Sequence, residues 1–356
     1  MRQFYIDVRD NYYGFNKNKN VFKYDEMKRG EHMAVRTSAG WYLWTHQLLE
    51  VTGPDAVRFL DYVCPNNISN LQVGRDRYTT ILNQDGIIID DVVVMRIGEQ
   101  KFWVSTLFVF SLISWLDALK EGFDVSYQNI SEKWHMYAVQ GPKALEMVNN
   151  LVETPVTDLK FFAFEENAIA GEKVLINRAG FTGEKIGYEI YVAADKTDFM
   201  EKQLVVAADT VGAREVTEFQ VMAWTLPAEA GFYYMRDLRD TNPLEVGLDK
   251  GINWDKDFVG KEALLKIKEA GPAREVVGFT TEKADVVIHG KNLSGPAPAD
   301  VVLKDGKEVG NVVKFVYSYV KDITFGTIIA EKGVLKNGDK VIIRGNEACI
   351  MDKSVL

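Results

Sequence analysis

The sequence predicts an α+β protein whose last quarter is an all-β unit, and three observations carry that reading. A strand, Gly-Pro, helix arrangement occurs twice, as LLEVTG followed by PDAVRFLDYV and, about ninety residues on, as WHMYAVQG followed by PKALEMVNNLV. Two stretches read as β-hairpins with apolar arms. After about Gly271 the texture changes to short β-like runs separated by turns such as Lys304-Asp305-Gly306 and Lys336-Asn337-Gly338-Asp339, which predicts a compact β domain.

The elements follow in order. The first 24 residues hold seven aromatics (Phe4, Tyr5, Tyr12, Tyr13, Phe15, Phe22, Tyr24) among Asn, Lys and Asp, too irregular for a helix and too aromatic for a loose tail, so they are expected to pack onto something. From Leu48 a strand passes into a helix that Pro54 suits at its first turn, with Ala56, Phe59, Leu60 and Val63 on one face. Tyr78 to Met95 alternates around Gln84-Asp85-Gly86, the pattern of a hairpin with long apolar strands. Phe102 to Leu116 is the longest uncharged run. Its fifteen residues include four Ser/Thr and fall short of the roughly 18 to 20 that a membrane span needs, so it reads as a buried strand entering a helix. Lys173 to Ala193 is a second hairpin across the Gly-rich AGFTGEKIG, and Lys196 to Thr210 reads as a helix.

Composition narrows function. The 356 residues carry 42 Lys+Arg against 51 Asp+Glu, a net charge of −9, which disfavours the clustered cations of a nucleic-acid surface. Two cysteines, Cys64 and Cys349, make neither a zinc cluster nor a disulfide framework. With Arg and Asp interrupting the apolar stretches of the N-terminus, no signal peptide is drawn, and the cytoplasm is the expected compartment. The four histidines show no metal-binding spacing, and neither a GxGxxG nor a P-loop pattern occurs.

Two polar intrusions remain. Asp90-Asp91 breaks an apolar strand, and because strand neighbours face opposite ways, one carboxylate is expected inward and the other out. Either it bonds a nearby backbone or it serves as an acid, base or cation-stabilising group. In GYEIYV, Glu189 shares a face with Tyr191, opposite Tyr188 and Ile190. That face is either solvated or presents a carboxylate suited to two parallel N–H bonds from a flat heterocycle. Arg236, Asp237, Arg239 and Asp240 read as a solvated charged loop, with anion binding the alternative.

Taken together, four blocks resemble the glycine-cleavage T-protein (aminomethyltransferase) family. TNPLEVGLDKGINWDKDFVGKEAL (Thr241 to Leu264) is the most specific; Asn66 to Val94, Ala138 to Ala144 and Arg178 to Val192 match in the same order, so that nearly the whole chain is covered. The resemblance implies a three-domain cloverleaf around tetrahydrofolate, the domains being 1–48 plus 131–231, 49–130 plus 232–266, and a β-barrel over 267–356. It places Asp91 beside the reactive one-carbon centre, Glu189 on the pterin ring and Phe181 against folate. Tyr188, Gln140, Trp224 and Arg236 complete the expected cofactor contacts, and Tyr24, His46 and Tyr233 are the candidate proton donors.

The chain also departs from the pattern. Val104 to Phe108 replaces an Asn-bearing stretch, Tyr42 to His46 replaces an early His block, and Arg214 lies fifteen residues before Glu229, too far to be equated with the family arginine. Those changes favour the branch of the family that takes a methyl group from a small O-, S- or N-methylated compound, whose enclosed apolar pocket the aromatic N-terminus, Trp41, Trp44 and Trp224 would suit. The alternatives are a true aminomethyltransferase served by a lipoyl carrier protein, and a non-catalytic folate-binding module.

Overall fold

The computed structural model describes residues 26–44, 47–217, 221–282 and 299–356. Among these, three β-layers form. The first sheet has the order β11-β1-β7-β10-β9-β8, with β1 Gly40–Trp44, β7 Trp134–Gln140, β8 Phe164–Ile169, β9 Glu172–Asn177, β10 Gly187–Ala193 and β11 Arg214–Glu215. The second, β3-β4-β5-β2-β6, comprises β2 Gln47–Thr52, β3 Asp76–Leu82, β4 Ile88–Gly98, β5 Lys101–Thr106 and β6 Ser126–Asn129. The chain thus leaves the first sheet after one strand, builds the second, and returns at β7. A closed barrel of six strands, β12 Arg274–Thr281 to β17 Asn346–Met351, ends the chain, with β17 pairing back onto β12.

The twofold repeat has a backbone cause. Gly53 and Gly141, each followed by proline, end β2 and β7 at φ of 128° and 131°, a region that L side chains rarely adopt. A Cβ on Gly141 would lie 2.5 Å from Val35 O, and one on Gly53 2.6 Å from Asp124 O. Both turns therefore need glycine to bring the following helix down on its own sheet. The helix Ala56–Val63 buries Ala56, Phe59, Leu60 and Val63, the face that its spacing predicts, and the uncharged run divides into β5 and the helix Val109–Leu119.

Each sheet covers one face with helices and turns the other toward the second sheet. Tyr188, Ile190 and Val192 pack with the helices Ala144–Asn149 and Thr197–Val211, while Val92 and Val94 pack with Phe59, Leu60 and Leu112. Between the sheets lies a separate cluster containing Tyr42, Trp44, Met95, Trp103, Met136, Ala138 and Tyr191. This seam is where the candidate site sits. No helix among the described residues is long and apolar enough to cross a membrane.

Replacing Gly141 by Ala should lower stability by roughly 1–3 kcal/mol through the forced φ and the clash with Val35 O. Thermal melting of G141A beside wild type checks this; an unchanged Tm would refute the steric account.

Candidate active site

Register on β4 decides where the paired aspartates go. Asp90 lies opposite Ile81 and Asp91 opposite Thr80, so Asp90 joins the helix-covered core and Asp91 the seam, next to Val93 and Met95. The expected inward-and-outward split is corrected here: Asp90 is 4% exposed, and Asp91 is half-buried against the other sheet rather than facing bulk water. Asp90 accepts from Thr106 Oγ1 at 2.5 Å and from the Asp91 amide at 2.9 Å. Asp91 Oδ2 accepts from the Tyr78 hydroxyl at 3.1 Å.

Both acids are shifted upward. Burial and the neighbouring Asp91 raise Asp90 to about 7, and burial with the charge of Asp237 raises Asp91 to about 6 despite the Tyr78 bond.

The opposite wall of the seam carries Glu189. Its pairing with Ala138 and Asn177 sets it, with Tyr191, on the face away from Tyr188, in agreement with strand alternation. Glu189 Oε2 takes Asn177 Nδ2 at 3.1 Å and the Tyr191 hydroxyl at 3.3 Å. The same Asn177 amide donates to Asp76 Oδ2 at 2.7 Å across the two sheets. Burial, then the charge of Asp76, raises Glu189 to about 7, and burial raises Asp76 itself to about 6. The solvated reading of Glu189 does not hold.

The other expected residues scatter. Phe181 packs on Trp44 with ring centroids 4.8 Å apart, at the seam. Gln140 is wholly buried and holds the AGFTG turn, donating to Ala179 O and accepting from Thr182 Oγ1. Tyr188 faces the helices, on the other side of β10 from Glu189. Trp224, in a π-helical turn Val221–Thr225, packs with barrel residues and edge-on to Tyr234. Tyr233 donates to Val246 O at 2.8 Å and receives Lys353 Nζ at 2.7 Å. Arg236 is half-buried on the short helix Met235–Leu238. Tyr24 and His46 lie outside the described residues, as do the aromatics that precede Tyr24.

The reading of 236–240 as a solvated loop is corrected for Asp237, which is wholly buried on that helix. Its Oδ2 meets Lys314 Nζ, from barrel strand β14 (Lys307–Ser318), at 2.7 Å, and caps the Tyr234 amide at 2.9 Å. No sequence periodicity relates Lys314 to Asp237, because the contact spans 77 residues. Asp76, Tyr78 and Asn177 were missed for a different reason. They become visible only once β3 is laid beside β4, which turns Asp76, Tyr78 and Thr80 toward the seam.

Comparison with known proteins agrees with this architecture. The GCVT N-terminal domain family model matches residues 5–256. The aminomethyltransferase of Thermosipho melanesiensis is 30% identical over 93% of this chain and 87% of its own, and that of Bacillus subtilis is 34% identical over 79% and 76%. The crystal structure of the glycine cleavage system aminomethyltransferase T from Bartonella henselae shares the fold, with a TM-score of 0.79 and 24% identity over 91% of this chain and 87% of that one.

Two predictions follow from the electrostatics. Asp76, Asp90, Asp91 and Glu189 all sit above the ordinary carboxylate value near 4. Each takes up a proton on folding between about pH 4 and 7, so native stability falls as pH rises through that window. Urea denaturation should find the protein more stable at pH 5 than at pH 7.5, and D90N should remove on the order of 2–4 kcal/mol of that difference; a slope unchanged in D90N would refute the assignment. Separately, Lys314→Met should cost roughly 3–5 kcal/mol by stranding the Asp237 charge, and adding Asp237→Leu should restore much of it. A double variant no more stable than the single one would contradict that account.

The chain belongs to the GCVT family, the family of the aminomethyltransferases.

Proposed function

We propose that the chain catalyses aminomethyl transfer, passing a one-carbon unit from an aminomethyl group on a lipoyl carrier protein to tetrahydrofolate. As a member of its family the chain is a one-carbon transferase that uses tetrahydrofolate. The observation that carries the finer reading is the placement of Asp91 and Glu189 on facing sheets, toward one seam, each with a hydroxyl donor already bound. Similarity to aminomethyltransferases over most of both chains supports the donor named.

The residues present suit a folate. Both hydrogen bonds that Glu189 receives go to Oε2, leaving Oε1 to accept from the donor edge of a pterin. Phe181 and Trp44, packed on one another in the same seam, offer ring faces to it. Tetrahydrofolate, when bound, supplies the nitrogen nucleophile that takes up the carbon. Asp91 is ionised for most molecules at neutral pH and stabilises positive charge developing near it, while Tyr78 keeps its carboxylate oriented. Tyr233, the expected proton donor that falls among the described residues, already gives its single proton to Val246 O and accepts from the Lys353 ammonium, so it is not assigned the departing group.

A second reading, methyl transfer from a small O-, S- or N-methylated compound, draws on the rings in the seam. Trp103 packs on Trp134 at 4.9 Å and on Tyr191 at 6.1 Å, and Tyr42 on Trp44 at 6.0 Å, a lining suited to an apolar or cationic methyl donor.

Glu189→Ala should weaken tetrahydrofolate binding at least tenfold by calorimetry, whereas Asp91→Asn should retain binding and lose 10²-fold or more in turnover. Assays with an aminomethyl-lipoyl carrier and, in parallel, with methoxyaromatic, sulfonium and methylamine donors separate the two readings. Turnover with free methyl donors alone would overturn the aminomethyl reading.

A further inference from the structure

Asp76 is an acidic residue at the buried seam, only 3% exposed, with no cation bonded to it among the described residues. Its Oδ2 accepts from Asn177 Nδ2, and that same nitrogen donates to Glu189 Oε2, so one wholly buried amide ties a carboxylate of the second sheet to a carboxylate of the first. Asp76 Oδ1 and Asn177 Oδ1 are both buried and without a hydrogen-bond partner among the described residues. Such atoms are costly to leave unpaired.

The segment around Asp76 is held in place from a second side. Its amide donates to Phe162 O, the Phe162 amide donates to Arg178 O, and Phe162 adopts φ 56°, an uncommon conformation for an aromatic residue. Phe164 N also bonds Gly74 O. A strained strap therefore clamps the start of β3 to the end of β9, which fixes the distance between Asp76 and Asn177.

We propose that Asp76 is a positioning residue of the folate subsite, acting through the Asn177 amide to set the orientation and charge of Glu189, so that ligand uptake is gated by pH around neutrality. The inference rests on the reading that Glu189 holds the pterin. Among the described residues, the groups that act on this pair are Arg75, just before β3, Asn177 from β9 and Tyr191 from β10. Arg178 is turned to Leu159 O and does not bond either acid. With Arg75 the cation acting on Asp76 among the described residues, an ionised Asp76 opposes ionisation of Glu189 a few ångströms away, and a pterin offering N–H donors needs Glu189 ionised. Burial is the larger cause and the charge of Asp76 the second, and together they bring Glu189 to about 7.

The test is calorimetric titration of the full chain with tetrahydrofolate from pH 5.5 to 8.5, on wild type, Asp76→Asn and Glu189→Gln. Wild type should bind about tenfold more weakly at pH 6 than at pH 8, because the competent fraction follows Glu189 ionisation. In Asp76→Asn the inflection should move down by about one pH unit, leaving about a twofold difference between those pH values. Should Asp76→Asn fail to fold, Asp76→Ser reports the same inflection. A merely structural role for Asp76 would change affinity at every pH and leave the inflection where it is, which would overturn the proposal while Glu189→Gln still lost binding. If Glu189→Gln bound as tightly as wild type, the pterin reading itself would fall, and this inference with it.

Discussion

The arrangement of the site depends on one buried carboxylate, Glu229. It is fully enclosed, and its oxygens meet His32 Nε2 at 3.0 Å, Arg36 Nε at 2.9 Å and the hydroxyl of Ser318. Those three partners come from the helix Glu26–Thr37 and from barrel strand β14. Arg36 goes on to bond Glu184 at 2.6 Å and Thr182 O at 2.9 Å, both in the turn that carries Phe181. The backbone carbonyl of Glu229 takes the Val355 amide at 2.8 Å. Burial alone would raise Glu229; its donors hold it below the usual carboxylate value instead. A charge buried this way adds little net stability, but removing any partner strands the rest, so the cluster fixes how the barrel, the helix Glu26–Thr37 and the AGFTG turn meet.

That fixed frame makes the seam intelligible as chemistry. Two sheets that each bury one face under helices present their other faces to one another, and the polar atoms trapped between them must be bonded, used or left at a cost. Asp91 is satisfied on one oxygen by Tyr78, and Glu189 on one oxygen by Asn177 and Tyr191. Each keeps an acceptor toward the seam. The carboxylates on the two walls differ in what surrounds them: Asp91 feels a second acid, Asp237, that Lys314 pairs with, whereas Glu189 feels Asp76, which no lysine or arginine among the described residues bonds.

Much of this was legible in the chain because it depends on local rules. The Gly-Pro turns at 53 and 141 mark both repeats, period-2 alternation separates Glu189 from Tyr188, and the texture after Gly271 marks the barrel. Asp91 and Glu189 stood out because a charge in an apolar strand demands a reason. What was not legible depends on which strands face each other. Asp76 sits at the head of a strand with an arginine on either side and looks like one more surface charge, until the pairing of Asp76 with Met95 turns it inward. Asp237 misled for the converse reason: four charged residues in five look solvated, yet a one-turn helix aims the Asp237 side chain at a lysine 77 residues away. Gln140, expected among the cofactor contacts, directs its side chain to the AGFTG turn, where a Cβ on Gly180 would lie 2.1 Å from Gln140 Oε1, a contact that strand periodicity does not reveal.

The same contrast explains why a seam is a suitable place for one-carbon transfer. Transition-state charge is stabilised best by groups that are already oriented and dry, since nothing then has to reorganise as the charge appears. Orientation here is supplied by hydroxyls and one amide, and dryness by the tryptophans and tyrosines between the sheets. The cost of holding three acids in such a place is visible in their raised proton affinities, and it falls on the empty protein. A ligand that brings N–H donors to Glu189 and positive charge to Asp91 removes part of that cost on binding, so the arrangement that destabilises the free chain near neutrality is the one that favours the loaded site.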